Sequence, residues 1–387
     1  MNIAIFTNNY LPNPYGVSTS VESFRKQFEK MGHKVYIFAP KTKGFVDNNP
    51  DVFRFPSVDL KYKISFPLAI PYSQAIWKKL DELHIDVIHS QHPNLLGWSA
   101  KHWAKKKRVP LVFTWHTLYD HYAHFAPFIP KKIAADWAIS NAVSYANSAD
   151  QVVVPTPSVT GIIHEWGVKN SNIISIPTGV EEELYQNPDR EIVRKKYGVA
   201  DDEVLLLLVS RLTAEKNVHF LFASLVPLLR KNKNIKFLVV GEGDERGGLE
   251  KTVAQSGLDG QVFFAGVIGS DAIKDYYAAA DIFVHASKSE TQGMILTEAI
   301  YSGLPVVSVV ATGAKNVVMN HFTGLLVKDN ADSFAHAVLR LANDKSLRQT
   351  FSENAKRVSR QYYTSSVCAE KMLKVYEEAI RNKNFKG

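Results

Sequence analysis

Short apolar runs alternate with longer stretches of helical spacing along the whole chain. Asn2–Thr7 is an apolar run that ends in the Pro-, Gly- and Asn-rich segment Asn8–Gly16, and Val17–Met31 then has helical spacing and stops at Gly32. Val35–Ala39, Asp86–His89 and Leu111–Thr114 read as further buried strands, the last introduced by Pro110. The same grammar restarts after Pro177-Thr178-Gly179, with Val204–Ser210, Lys236–Gly241, Gln261–Ala265, Ile282–Ala286 and Pro305–Val310 as strands between helical patterns. Strands alternating with helices predict parallel sheets covered on both faces. The expected fold is therefore α/β, with two Rossmann-like doubly wound domains facing a central cleft at the carboxyl ends of their strands. The expected boundaries are 1–178 and 179–362, followed by a helical tail over 363–387. Its apolar Val367, Met372, Leu373, Val375, Tyr376 and Ile380 suit either its own sheet or a return to the first domain.

Composition agrees with two cores, because 387 residues exceed the size at which one core stops growing. The lone Cys368 can form no internal disulfide, the first apolar stretch is too short for a signal peptide, and no run approaches the roughly 18 apolar residues of a spanning helix. A cytoplasmic protein is expected. The net charge of +8 is lopsided: residues 1–175 carry 19 Lys and Arg against 12 Asp and Glu, and the remainder carries 27 against 26. Such asymmetry fits a polyanionic partner or a solvated basic face. Lys101, Lys105, Lys106, Lys107 and Arg108 cluster beside Trp98 and Trp103, with apolar Ile64–Pro71 and Phe125–Ile129 near Lys131 and Lys132. Basic residues mixed with aromatics suit an anionic membrane surface; the competing reading is a core-facing tryptophan pair on a charged helix. No nucleic-acid-binding signature accompanies the charge, so no nucleic acid partner is expected.

Candidate chemistry collects at strand ends. Ser287–Val307 presents Glu290 in a loop, then Gly293, Met294 and Ile295 opening a helix that contains Glu298. First-turn amides there can receive a diphosphate, and Glu298 suits a ribose diol. Arg211 and Lys216 follow the Val204–Val209 run, where cations can neutralise a leaving diphosphate. Gly241-Glu242-Gly243 lacks the third glycine of a dinucleotide fingerprint, yet bare backbone at Gly241 allows close approach. In the first half, Gly16 opens a helix after the first strand and His116 stands just past the Leu111–Thr114 strand; a histidine so placed also serves purely structural hydrogen bonds.

These elements together resemble the family-4 retaining glycosyltransferases of the GT-B fold over essentially the whole chain. The resemblance rests on the Gly16 loop, His116-Thr117, Arg211 with Lys216, Gly241-Glu242-Gly243, Glu290 with Glu298, and Gly303-Leu304-Pro305-Val306-Val307. It implies that Arg211 and Lys216 hold the donor diphosphate, Glu290 meets the transferred sugar, Glu298 the ribose, and the amides of Gly293, Met294 and Ile295 the phosphate, with His116 lining the sugar pocket. The base would be met by main chain around Val267 and Ile268. Glu290-Thr291-Gln292-Gly293 departs from the commoner Glu-x-Phe-Gly, and His116–His124 is an extended His-Thr element; both variants resemble bacterial 1,2-diacylglycerol 3-glucosyltransferases. The implied activity is transfer of a hexose, glucose from UDP-glucose, to a membrane lipid such as 1,2-diacylglycerol. That places the protein peripherally on the inner face of the cell membrane. A soluble or other lipid-linked acceptor, and a non-catalytic nucleotide-sugar binder, stay open; both carboxylates with both cations weigh against the latter. The expected donor is a nucleotide diphosphate sugar used as substrate, with no cofactor. No Asp-x-Asp triplet occurs, so no metal requirement is expected.

Overall fold

The computed structural model describes residues 1–13, 16–62, 64–118 and 130–386, and the chain divides into two compact units, 1–179 with 365–387, and 180–364. In the first unit the elements run β1 (Asn2–Phe6), α1 (Gly16–Lys30), β2 (Lys34–Pro40), β3 (Val52–Phe55), β4 (Ser57–Tyr62), β5 (Ile64–Ala69), α2 (Gln74–Glu82), β6 (Val87–Ser90), α3 (Leu96–Lys107), β7 (Leu111–Thr114), α4 (Lys131–Ser148), β8 (Gln151–Val154), α5 (Pro157–Glu165) and β9 (Ile173–Ser175). Among the described residues the sheet order is β3-β2-β1-β6-β7-β8-β9, parallel throughout, with β4 and β5 as a separate antiparallel hairpin.

The second unit runs α6 (Arg190–Lys196), β10 (Val204–Val209), α7 (Val218–Lys231), β11 (Ile235–Val240), α8 (Arg246–Gln255), β12 (Val262–Gly266), α9 (Ile273–Ala279), β13 (Ile282–His285), α10 (Met294–Tyr301), β14 (Val306–Val309), α11 (Ala314–Val317), β15 (Gly324–Val327), α12 (Ala331–Asn343) and α13 (Lys345–Tyr362). Its described strands are ordered β12-β11-β10-β13-β14-β15, the doubly wound pattern in which strand order reverses between the first and fourth strands. The reversal opens a crevice between β10 and β13. In the first unit the equivalent point lies between β1 and β6.

Alternation along each strand builds two cores per unit. Leu206 and Leu208 face one side of β10 and Leu205 and Leu207 the other, all buried, and Ala4 and Phe6 oppose Ile3 and Ile5 on β1 in the same way. The last helix, α14 (Ser365–Lys386), follows the second unit in sequence but buries Cys368, Met372, Val375 and Tyr376 against Ile3, Ile5 and Val87 of the first. Its side chains are tied there: Tyr376 Oη is 2.6 Å from His89 Nδ1, and Lys383 Nζ donates to Asp150 at 2.9 Å. Side-chain caps start α12 and α13, with Asn330 accepting from the Ser333 amide and Asp344 from the Leu347 amide.

The basic cluster of α3 is divided by this packing. Trp103 is fully buried in the core, and Lys106 lies over its ring at 4.2 Å while pairing with Asp81 at 2.7 Å. Lys107 donates to the Leu83 carbonyl at 2.8 Å, and burial lowers its ammonium pKa. Trp98, Lys101 and Lys105 remain exposed, at helical spacing that puts them on one stripe. Of Ile64–Pro71, Pro67 and Ala69 are buried and Ile70 is exposed. Phe125–Ile129 and the extension Tyr119–His124 lie outside the described residues.

Candidate active site

In the second unit Arg211, Lys216 and Glu290 come together beyond the ends of β10 and β13. Beyond β10 the chain passes Arg211, makes a 3-10 turn over Ala214–Lys216, and enters α7 through Asn217 in the left-handed region at φ 56°. Asn217 Nδ2 donates to Ala286 O at 3.2 Å, which binds this loop to the end of β13. Lys216 Nζ stands 2.6 Å from Glu290 Oε1, and both side chains are largely buried. Glu215 completes a chain of alternating charge, 3.4 Å from Lys216 and 3.2 Å from the half-exposed Arg211. Burial pushes the Glu290 carboxyl up, but the Lys216 charge and hydrogen bond outweigh it and hold the group below the usual carboxylate range. An ionised Glu290 and an oriented ammonium therefore sit together at the crevice floor.

The Glu290 loop is fixed from beneath. Gly313, after β14, donates its N–H to Glu290 O at 2.9 Å, and a Cβ there would lie 2.6 Å from Gln292 O. Gly293, at φ 79°, then starts α10 with neither a side-chain cap nor an acidic residue in the first turn. The Met294 and Ile295 amides thus stand at an uncapped, positive helix end, suited to an anion. His285 closes β13 below the loop, its Nδ1 3.1 Å from Ser308 Oγ, and burial lowers its imidazole pKa to about 4.

Glu298 lies on α10 and accepts from Tyr277 Oη at 2.8 Å; Tyr185 also hydrogen-bonds to it. Burial raises the Glu298 carboxyl pKa, and the two phenols pull it back only in part. Gly241 follows β11 at φ 129°, and its missing side chain is the condition for another backbone: a Cβ would lie 1.9 Å from Ser210 O. Gly243 meets Leu212 O in the same manner at 2.2 Å. The pair of glycines therefore clamps the Arg211 loop by extending the ladder past β10, with Ser210 N bonded to Val240 O and Leu212 N to Glu242 O. Past β12, Val267 is exposed and Ile268 packs against the second unit's core.

His116 and Gly16 belong to the first unit. Gly16 is the exposed first residue of α1. His116 follows β7, with Nε2 2.6 Å from Gln91 Oε1, and burial lowers its imidazole pKa to about 4. Gln91, which meets His116 in the first unit, and Tyr185, Tyr277 and Gly313, which meet Glu298 and Glu290 in the second, escape the sequence reading because each comes from a distant element. Gln91 and Gly313 follow strands β6 and β14, but Tyr277 lies within α9 and Tyr185 in a 3-10 turn, where local spacing carries no signal for a site.

The second unit thus combines a doubly wound sheet, paired charge at its switch point and an uncapped helix end beside it, a setting suited to an anionic ligand. Residues 14–184 match the family described as Glycosyltransferase Family 4, and residues 189–358 match Glycosyl transferases group 1. The chain belongs to the family-4 glycosyltransferases and has the GT-B fold. It is 28% identical to an alpha-monoglucosyldiacylglycerol synthase of Streptococcus pneumoniae, over 100% of this chain and 87% of the relative. It is 27% identical to the alpha-monoglucosyldiacylglycerol synthase of Acholeplasma laidlawii, over 100% and 99%. The structure of Anabaena HepE in complex with UDP and glucose superposes with a TM-score of 0.76 at 20% identity, covering 98% of this chain and 100% of that one.

Proposed function

We propose that this glycosyltransferase moves a hexosyl group, glucose from UDP-glucose, to a membrane lipid of the diacylglycerol class with retention at the anomeric carbon. The observation that carries the reading is the Lys216–Glu290 pair, a fixed cation beside an ionised carboxylate at the switch point where α/β sheets take ligands. Arg211, Lys216 and the Met294 and Ile295 amides meet the charge of the diphosphate as it departs, a preorganised electrostatic effect. Glu290 holds the sugar, Glu298 the ribose hydroxyls, main chain at Val267 and Ile268 the base, and His116 lines the sugar pocket. The Gly16 backbone at the start of α1 receives a substrate oxygen or phosphate.

The bond from the anomeric carbon to the diphosphate oxygen breaks while the acceptor oxygen bonds to that carbon on the same face. The acceptor proton passes to the departing diphosphate, so UDP leaves protonated and no other base is needed. Metal is not called for in this scheme, because the cations and helix amides meet the charge. The lipid acceptor is supported by the names of the two full-length relatives.

No helix among the described residues is long and apolar enough to cross a membrane. Docking on a cytoplasmic leaflet falls to the exposed stripe Trp98, Lys101 and Lys105, with Lys132, Ile133 and Trp137 exposed on α4. Labelled nucleotide sugars offered with and without diacylglycerol vesicles test the reading. A lipid-extractable product only from UDP-glucose is expected; turnover confined to soluble acceptors, or binding without turnover, contradicts it.

A further inference from the structure

One charged side chain among the cations of the second unit has no part in the scheme above. Glu215 stands in the 3-10 turn Ala214–Lys216, which is closed by Lys216 N on Thr213 O and Asn217 N on Ala214 O, each at 3.0 Å. Its carboxylate meets three side chains drawn from two loops. Oε2 lies 3.2 Å from Arg211 Nη2, Oε1 lies 3.4 Å from Lys216 Nζ, and Ser289 Oγ donates to Oε1 at 3.1 Å. Burial pushes this carboxyl up, but Lys216, Arg211 and the Ser289 hydroxyl outweigh it and hold the group below the usual carboxylate range. Glu215 is therefore an anion at neutral pH.

An anion there opposes the ligand that the two cations would hold. Arg211 and Lys216 bring two positive charges, and Glu215 and Glu290 balance both. Glu290 is assigned to the sugar; Glu215 has no such partner. A phosphate oxygen at hydrogen-bond distance from either cation stands within about 6 Å of the Glu215 carboxylate, inside the roughly 8 Å over which physiological salt screens charge. The repulsion grows with the charge on the ligand. UDP carries one more negative charge than UDP-glucose near neutral pH, because its terminal phosphate is free to ionise a second time at about pH 6.

We propose that Glu215 sets the balance between substrate and product at the diphosphate site: its charge, held against Arg211 and Lys216, weakens UDP more than UDP-glucose and so favours product release. The cations still meet the charge that develops during transfer, and Glu215 keeps them from retaining it afterwards. The inference rests on the assignment of Arg211 and Lys216 to the diphosphate.

The experiment is calorimetric titration of the full chain with UDP and, without acceptor, with UDP-glucose. Glu215→Gln keeps the shape of the side chain and an acceptor for Ser289 but removes the charge. UDP affinity should rise by about threefold or more and UDP-glucose affinity by less, with the gain shrinking at high salt. Inhibition of turnover by UDP should strengthen by the same factor. Ser289→Ala removes the hydroxyl and keeps the charge, so the ratio of the two dissociation constants should stay at the wild-type value. Lys216→Ala, run alongside, should lose UDP affinity. Unchanged or weaker UDP binding in Glu215→Gln, an equal gain for both ligands, or the same shift of the ratio in Ser289→Ala overturns the role of Glu215 while the loss in Lys216→Ala leaves the diphosphate assignment standing. Undiminished UDP affinity in Lys216→Ala is the failure of that assignment, and the inference falls with it.

Discussion

Lys216 Nζ lies 2.6 Å from Glu290 Oε1, across 74 residues of sequence, and this one contact joins the loop after β10 to the loop after β13. The pair spans the point at which the strand order reverses. A lysine held in this way is already oriented when charge develops on a leaving diphosphate, so it need not reorganise during the reaction.

Arg211→Ala and Lys216→Ala should each lower kcat/KM by about 2–4 kcal/mol of transition-state stabilisation, the size of one preorganised donor to developing charge. Their effects on folding should differ. Arg211 is half exposed and, among the described residues, pairs only with Glu215 four residues on, so its loss should cost about 0.5 kcal/mol or less in urea unfolding. Lys216→Ala leaves Glu290 buried without its cation, and the double variant with Glu290→Gln should recover part of that loss. Near-normal kcat/KM in both single variants would remove these residues from the active site.

With Glu298 assigned to the ribose hydroxyls, nucleotide binding should carry a pH dependence of definite sign. Burial raises its carboxyl pKa, so the group is ionised above that pKa and protonated below it. Affinity for UDP should fall as pH drops through this raised value, because a protonated carboxyl cannot accept from both ribose hydroxyls. Tyr277→Phe removes a hydrogen bond to the ionised form and should move the fall to higher pH. Calorimetric titration with UDP should find the limb absent in Glu298→Gln and retained in Glu290→Gln. Its persistence in Glu298→Gln would contradict the assignment.

Gly241→Ala should destabilise the fold by about 2–4 kcal/mol and lower activity, since φ is 129° and the new Cβ would meet the Ser210 carbonyl. Gly248→Ala, in the first turns of α8 with nothing within 4 Å of the new Cβ, should instead stabilise by about 0.5–1 kcal/mol. Thermal unfolding of the two variants side by side separates a backbone clamp from a plain helical glycine. Equal Tm values would contradict the clamp.

The lysines of α3 should divide into two classes. Lys101→Gln with Lys105→Gln should weaken sedimentation with anionic vesicles by about 1 kcal/mol per residue, leave Tm unchanged, and lose its effect at high salt. Lys107→Gln should lower Tm, because Lys107 holds the Leu83 carbonyl at 2.8 Å. Vesicle binding by the Lys101/Lys105 variant equal to wild type would return this stripe to a solvated helix face.

The fold was legible where apolar runs were long or bounded by punctuation. Leu111–Thr114 was read at its observed bounds, and the five strands after Gly179 were read to within one residue at each end. Strands β3, β4, β5, β8, β9 and β15 went unread: β4 and β5 mix charged or proline positions into the pattern, and the others are runs of three or four residues that do not stand out without punctuation such as the Pro110 before β7. Trp103 and Trp98 looked alike in sequence, yet five residues of helix rotation send one into the core and the other to solvent. Arg211, Lys216, Glu290 and Glu298 could be named singly from their strand ends. Their pairing, and the parts taken by Gln91, Gly313, Tyr185 and Tyr277, depend on which strands become neighbours, and local spacing does not encode that.

The most direct test of the account is the product formed from UDP-glucose and diacylglycerol vesicles by the wild type and by Lys216→Ala, with released UDP counted and the anomeric linkage read by proton NMR. The account predicts one α-linked glucosyl lipid per UDP released, and a Lys216→Ala rate lower by about 2–4 kcal/mol in barrier. A β-linked lipid, UDP release without glucosyl lipid, or an undiminished rate in the variant would contradict it.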